Sequence, residues 1–303
     1  MNSRTLRGGL VLTAAATFLA AIGPAGLPVE GAAPEVSGVV IRYGQSSNNF
    51  NTVKSLDVQC LPDEKAVGGG ASVHDTHDGI TSTRATLTRS APTAFGWAVT
   101  AVTIPFTVGE WYIVARAVCV KADSVDGLRI VSDVAEWSSS SAPKTTEAHC
   151  PSGQRALGSG AMIRVPPGSP DAAQRGLGLQ VMRASGDGRL TRAQARETAA
   201  GNQYDWSLVG FAICADTPAG YVVRGNVSYQ AGSEMSKHAS SWCDVGEEAL
   251  GPGAAVTNAA PANVMLNALE ILPGWRMVRT VAVETTPTND DWDFIVAQAI
   301  CVN

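Results

Sequence analysis

Cys60-Leu-Pro-Asp-Glu-Lys-Ala-Val-Gly-Gly-Gly-Ala71 is written again as Cys150-Pro-Ser-Gly-Gln-Arg-Ala-Leu-Gly-Ser-Gly-Ala161, and a third time as Cys243-Asp-Val-Gly-Glu-Glu-Ala-Leu-Gly-Pro-Gly-Ala254. The first shared glycine (Gly68, Gly158, Gly251) stands eight positions after its cysteine in every copy, and a second (Gly70, Gly160, Gly253) follows two positions later. A register held three times is an internal repeat, and it decides the architecture before any local propensity does. Glycines inside an apolar, strand-like run mark a bulge or a place where another backbone comes close. A phosphate-cradling loop would need a following Lys-Ser/Thr and the start of a helix, and neither is present.

Outward from this element, each copy closes on a second one. Trp111 to Cys119 matches Trp206 to Cys214, and Trp292 to Cys301 matches with one extra residue. A one-residue slip would turn the apolar set to the wrong face, so the extra residue predicts a bulge near Asp293. Each copy opens on a short β-branched run: Val39 to Tyr43, Leu128 to Val131, Tyr221 to Arg224. Turn-forming residues follow each run, the pattern of strands. A central alternating strand is read at Gly96-Trp97 to Val102 and at Gly274-Trp275 to Val281, with Leu177 to Val181 as its counterpart in the second copy. The charged stretch Asp187 to Asn202 reads as an insertion, either a short surface helix or a solvated loop.

These observations predict an all-β chain of three pseudo-symmetric units of about 90 residues, packed prism-like or as tandem small sandwiches. A β-trefoil repeats at a shorter length and propellers begin at four blades. The organisation is a signal peptide at 1–33 and units at 34–124, 125–218 and 219–303. The leader follows from Arg4 and Arg7 ahead of the apolar run Leu10 to Ile22 and the breakers Gly23 and Pro24. That run is short for a membrane span. The expected localisation is therefore secreted, with no membrane span.

Six cysteines without a CxxC point to disulfides rather than metal or redox chemistry. Two pairing schemes respect the repeat. Each unit closes on itself (Cys60–Cys119, Cys150–Cys214, Cys243–Cys301), or neighbours are stitched together (Cys119–Cys150, Cys214–Cys243) with Cys60–Cys301 closing a ring. In the first scheme each bridge contributes about 4 kcal/mol on the chain-entropy view. The formal charge of −5, without basic clusters, lacks the footprint of a nucleic-acid or anionic-lipid binder.

The quoted residues resemble a module of secreted bacterial proteins with a Cys-Pro-x-Gly-x-x-x-Leu-Gly-Gly-Gly-Ala opening, a central Gly-Trp strand and a Trp-to-Cys closing strand. The second copy departs at Ser159, the first at Leu61-Pro62-Asp63, and the third at Asp244 and Pro252. The resemblance implies a small disulfide-closed β module with both cysteines inside one unit, and no enzymatic activity. Threefold packing of such units is also similar, in fold alone, to the prism of vitelline-membrane outer-layer proteins and some lectins.

The richest local chemistry is His74-Asp75-Thr76-His77-Asp78, two imidazoles and two carboxylates of the kind that hold a divalent metal. As a site it competes with ordinary loop divergence, since the other copies have nothing like it. Ser159 is the nearest candidate nucleophile, but it occupies a slot filled by Gly69 and Pro252 elsewhere. His149 and His238 read as packing or capping groups. Asp205-Trp206 and Asp291-Trp292 would line a sugar site or, on the plainer reading, place Trp in the core. Asn226-Val227-Ser228 fits the glycosylation pattern.

The expected function is a secreted, non-catalytic adaptor without cofactor, joining other proteins in an extracellular assembly. Its contacts are expected from the loops around 74–78 and 164–175, with residues 31–38 adding as a strand to a partner sheet. A glycan-binding, lectin-like protein is the second expectation, and a hydrolase using His74 or Ser159 the third.

Overall fold

The structure is a computed structural model that describes residues 33, 35–75, 82–105, 107, 109–229, 232–256, 263–272, 274, 276–287, 292 and 294–303. The predicted leader (apart from residue 33), Thr76 to Asp78, Trp275, Asp291 and Asp293 lie outside these. The described residues form eighteen strands. The first unit supplies β1 (Val40–Gln45), β2 (Val53–Gln59), β3 (Glu64–Asp75), β4 (Ala85–Pro92), β5 (Gly96–Thr103) and β6 (Trp111–Lys121). The second supplies β7 (Arg129–Val134), β8 (Lys144–His149), β9 (Gln154–Arg164), β10 (Leu177–Ala184), β11 (Leu190–Glu197) and β12 (Ser207–Asp216). The third supplies β13 (Val222–Tyr229), β14 (Ser236–Trp242), β15 (Glu248–Val256), β16 (Val264–Leu272), β17 (Met277–Glu284) and β18 (Phe294–Val302).

The units do not fold as separate sandwiches. They build three six-stranded sheets, and every sheet is shared by two units. Sheet I runs β1-β6-β3-β16-β17-β14, sheet II β2-β5-β4-β9-β12-β7, and sheet III β13-β18-β15-β10-β11-β8. Each unit therefore gives its first, sixth and third strands to one sheet and its second, fifth and fourth to the next. The seams are narrow antiparallel pairings: Ala71 with Leu269 in sheet I, Ser90 with Ala161 in sheet II, Met182 with Ala254 in sheet III. Edge strands of adjacent sheets meet in pairs, β1 beside β2, β7 beside β8, β13 beside β14. The arrangement is the prism, and the tandem-sandwich alternative is set aside. Its interior is one apolar core to which all three units contribute, with Trp97, Trp111, Trp206 and Trp292 fully enclosed.

The repeated glycine element explains how three sheets meet. In each copy the register of the third strand against the sixth slips by one residue, making Val67, Leu157 and Leu250 the extra residues of three β-bulges. Their side chains are fully buried. A Cβ on Gly68 would overlap the Leu250 carbonyl, one on Gly251 the Leu157 carbonyl, and one on Gly158 the Val67 carbonyl. The three glycines thus close a ring around the pseudo-threefold axis, each against the next unit's bulge, where a side chain has no room. Both meanings of a strand glycine hold at one position: bulge and close approach.

The fourth strands carry a second set of bulges whose extra residues, Thr88, Gln180 and Asn267, are polar and buried. Each reaches into another unit. Asn267 Nδ2 donates to the Ser82 and Ala85 carbonyls at 2.7 and 2.6 Å, Thr88 Oγ1 to Gln174 Oε1 at 2.9 Å, and Gln180 Nε2 to the Val264 carbonyl at 2.9 Å. A buried amide or hydroxyl is tolerated only when paired, so these contacts also fix how the units index on one another.

All three disulfides close within units, Cys60–Cys119, Cys150–Cys214 and Cys243–Cys301, with Cα–Cα distances of 5.7, 5.6 and 5.6 Å. This is the first of the two symmetric schemes. Three expectations differ from the structure. Leu177–Ala184 is the fourth strand of its unit, β10, the counterpart of β4 and not of the Gly96-Trp97 strand. The stretch 187–202 is neither a surface helix nor a mere loop: Leu190–Glu197 is the fifth strand, β11, the counterpart of β5, with Thr191, Ala193 and Ala195 buried and Arg192 outward. In the third unit, β17 begins at Met277, whose pairing with Trp242 corresponds to Gly96 with Gln59. Val278, not Trp275, therefore occupies the place of Trp97.

Candidate functional site

Every closing-strand Trp lies under a lysine placed six residues before the unit's opening cysteine. Lys54, Lys144 and Lys237 set their ammonium groups 4.9, 4.6 and 4.6 Å from the rings of Trp111, Trp206 and Trp292. All three lysines are buried, and each donates to the loop between its unit's first two strands: to the Ser47 carbonyl at 2.9 Å, the Glu136 carbonyl at 3.2 Å and the Gly232 carbonyl at 2.6 Å. Burial pushes the Lys54 and Lys144 pKa values down. Cation–π contact and carbonyl acceptors offset that desolvation. The sequence reading missed these lysines, although their fixed offset from the cysteine was a usable signal.

These platforms anchor the rim formed by the loops at the Trp end of each unit. Among the described residues, the second unit's rim is built on an internal hydrogen-bond frame. Glu197, buried at the end of β11, accepts the Trp206 indole N–H at 3.2 Å and the Asn202 amide N–H at 3.2 Å. Asn202 then ties two loops together: its Nδ2 donates to the Ala173 and Arg175 carbonyls at 2.7 and 2.9 Å, and its Oδ1 accepts from the Tyr204 N–H at 2.8 Å. The result is a cavity of about 460 Å³ lined by Arg175, Ala200, Gly201, Asn202, Gln203 and Tyr204. Three residues beyond Tyr204, Ser207 accepts from Arg164 Nη2 at 3.4 Å, and the Arg164 guanidinium lies 5.2 Å over the half-exposed ring of Trp137. The hydrogen-bonded frame thus sets Arg175 and Tyr204 on the cavity, while Arg164 and Trp137 stack beside the start of β12. The predicted loop 164–175 supplies half of this rim, while Trp137 and Tyr204 went unremarked because neither belongs to the repeat.

His74 stacks on Tyr112, ring centroids 5.1 Å apart, with its Nε2 2.7 Å from Ser72 Oγ, and Asp75 faces Arg84 at 3.7 Å. The described half of that cluster is therefore engaged with its own sheet and neighbouring loop, while His77 and Asp78 lie outside the described residues. Ser159 is sealed in the core and donates to the Pro252 carbonyl at 3.3 Å, so it is an inter-unit packing residue without access for a substrate. Trp206 and Trp292 are core residues, which removes them from any sugar site. Asp205 is exposed. His149 and His238 are exposed on edge strands, and Asn226 Nδ2 donates to the Ser240 carbonyl at 2.7 Å. Residues 35–38 dock on their own unit, with Val36 buried and the Ser37 carbonyl accepting from the Lys121 N–H at 3.2 Å. Those residues are not offered for strand addition.

Glu64 and Glu247 sit beside the disulfides of the first and third units, each near both sulfurs. The sulfurs are bonded to one another, so these are not metal sites. The carboxylates serve Arg42 and Arg224 instead, through pairs of hydrogen bonds of 2.6 to 3.0 Å. In the second unit Gln154 replaces the acid and Val131 the arginine, so both partners change together. Among the described residues no helix is long and apolar enough to cross a membrane.

The fold defines a three-unit, disulfide-closed β-prism protein. No protein-family model matches the chain, and no curated protein matches it.

Proposed function

We propose that the protein is a secreted, non-catalytic adaptor that holds another extracellular protein on the rim of its second unit. The observation that carries this reading is a preformed cavity lined by Arg175 and Tyr204, with the Arg164–Trp137 stack beside Ser207 at the start of β12. Trp, Tyr and Arg are the residues that concentrate binding energy in protein interfaces, and a site held by Glu197 and Asn202 loses little entropy on docking. The leader-like N-terminus, the disulfides and the resemblance to secreted disulfide-closed modules support an extracellular setting. A glycan ligand is the second reading, favoured by Gln203 and Tyr204, an amide side chain and a phenol ring that both line the cavity.

The test uses immobilised full-length protein exposed to the producing culture's extracellular fraction, with Trp137→Ala/Tyr204→Ala as the comparison. The adaptor reading expects at least one protein retained by the parent and reduced tenfold or more by the double variant. Equal retention by both overturns it. Binding on a glycan array that the same variant abolishes, without a protein partner, replaces it with the lectin reading.

A further inference from the structure

The outer faces of the three sheets can be compared row by row, because the seams fix the register. One row crosses all six strands of each sheet at the level of the second shared glycine. In sheet I it reads Ser240, Arg279, Glu270, Gly70, Arg116, Tyr43. In sheet II it reads Asp57, Ala98, Ala91, Gly160, Phe211, Ser132. In sheet III it reads Glu147, Arg192, Arg183, Gly253, Gln298, Gly225.

Sheet I is internally neutralised along this row. Glu270 lies between Arg116 and Arg279, bonded to the first and 3.1 Å from the second. The row of sheet II is apolar between its edge residues, Asp57 and Ser132. Sheet III places an arginine, Arg183, where sheet I has the carboxylate, directly opposite Arg192. Like charges in register across a strand pair are unfavourable. Arg192 is satisfied by Glu147 on its far side, whereas the Arg183 side chain makes no hydrogen bond or ion pair among the described residues. Gln298 does not relieve it: its side chain passes over Gly253 and spends both amide atoms on Ala184, at 2.8 and 3.0 Å. The row is also hollow. Gly225 and Gly253 bring no side chain, and a cavity of about 540 Å³ lies over Arg183, Arg192, Glu147, Gln298 and Gly225, ending at the Ser185-Gly186 turn.

We infer that this cleft is a binding site for a carboxylate of an acidic peptide segment, which would occupy between Arg183 and Arg192 the place that Glu270 fills in sheet I. A guanidinium pair is suited to bidentate capture of a carboxylate. The lining has no aromatic ring on which a sugar would stack, which favours peptide over acidic glycan. With a formal charge of −5 the chain as a whole repels acidic ligands, so any such binding is the work of this local pair. The site is separate from the Trp137 rim and stands or falls independently of it.

The probe is fluorescein-labelled hexaglutamate, titrated with the full-length protein at low ionic strength and followed by anisotropy. Saturable binding is expected, weakened tenfold or more by Arg183→Ala and abolished by Arg183→Glu, which restores the charge order of sheet I and lets the new carboxylate pair with Arg192. Arg183→Glu is expected to keep or raise the melting temperature, which separates loss of the site from loss of the fold. Arg129→Ala, at an exposed arginine of sheet II that is not part of the row or the cleft lining, is expected to bind like the parent. Absence of binding by the parent, or equal losses in Arg183→Ala and Arg129→Ala, overturns the inference. Binding of trigalacturonate without hexaglutamate overturns the peptide assignment. Retained hexaglutamate binding in Trp137→Ala/Tyr204→Ala keeps this result apart from that of the rim.

Discussion

At the pseudo-threefold axis, Gly68, Gly158 and Gly251 meet the same neighbour in the same way, a bulge carbonyl of the next unit. On the outer faces, the rows through Gly70, Gly160 and Gly253 carry an ionic triad, a strip that is apolar between its edges, and an arginine pair over a hollow. The difference teaches where a triplicated chain is free to change. The axis is backbone against backbone, so the copies have one solution. The outer rows are solved by whatever side chains satisfy each seam, so they diverge and become available for recognition.

The comparison breaks most sharply at the axis. Gly158→Val forces a branched side chain into the Val67 carbonyl and is expected to cost roughly 5 kcal/mol or to abolish folding, read as the urea midpoint by circular dichroism. Removing one bridge as Cys150→Ala/Cys214→Ala should cost about 4 kcal/mol in the same measurement. A loss confined to the second unit's signals would contradict the shared core. On the outer face, Glu270→Gln leaves two arginines facing a weakened acceptor and is expected to cost about 3 kcal/mol. Replacing Arg116, Glu270 and Arg279 together by apolar residues should cost far less, which sharpens the claim that this row is a local solution.

A pH series separates the units more gently. Hydrogen bonds from Arg42 and Arg224 hold the Glu64 and Glu247 carboxyls below their ordinary value of 4.5. A depressed carboxylate stabilises the fold fully above its unfolded pKa and loses that contribution as pH falls through its folded pKa. Stability should therefore be flat from about pH 7 to 5 and decline below about 4.5. Arg42→Gln/Arg224→Gln should flatten that acid limb, while the second unit, with Gln154 and Val131, has no such pair to titrate. Trp137→Ala, at the rim, is expected to change stability by no more than about 0.5 kcal/mol, checked by melting temperature.

Much of the scaffold was legible because repetition amplifies weak signals. The glycine spacing announced bulge and close approach, and the Trp-to-Cys strands announced one buried face. β11 was not read, because its inward residues are Thr191, Ala193 and Ala195, too small to register against Arg192 and Arg196. The exchange of strands between sheets was invisible for another reason: alternation tells which face of a strand is buried, not which neighbour covers its edge. The rim lay outside the repeat, so only its arginine loop drew notice. The lysines over Trp111, Trp206 and Trp292 were passed over because lysine is ordinarily solvated, although their position was as regular as the cysteines.

Because every sheet is completed by a neighbour's strands, no ninety-residue segment contains a finished sheet. A gene encoding one such segment would yield a folded product only as a homotrimer, with the three bulge carbonyls supplied by three polypeptides. In the present chain the same closure means that β16 must arrive before the first unit's β3 has its seam partner. Stability is then gained late and all at once, and a chain cut short in its last third has two open edges rather than two-thirds of a protein.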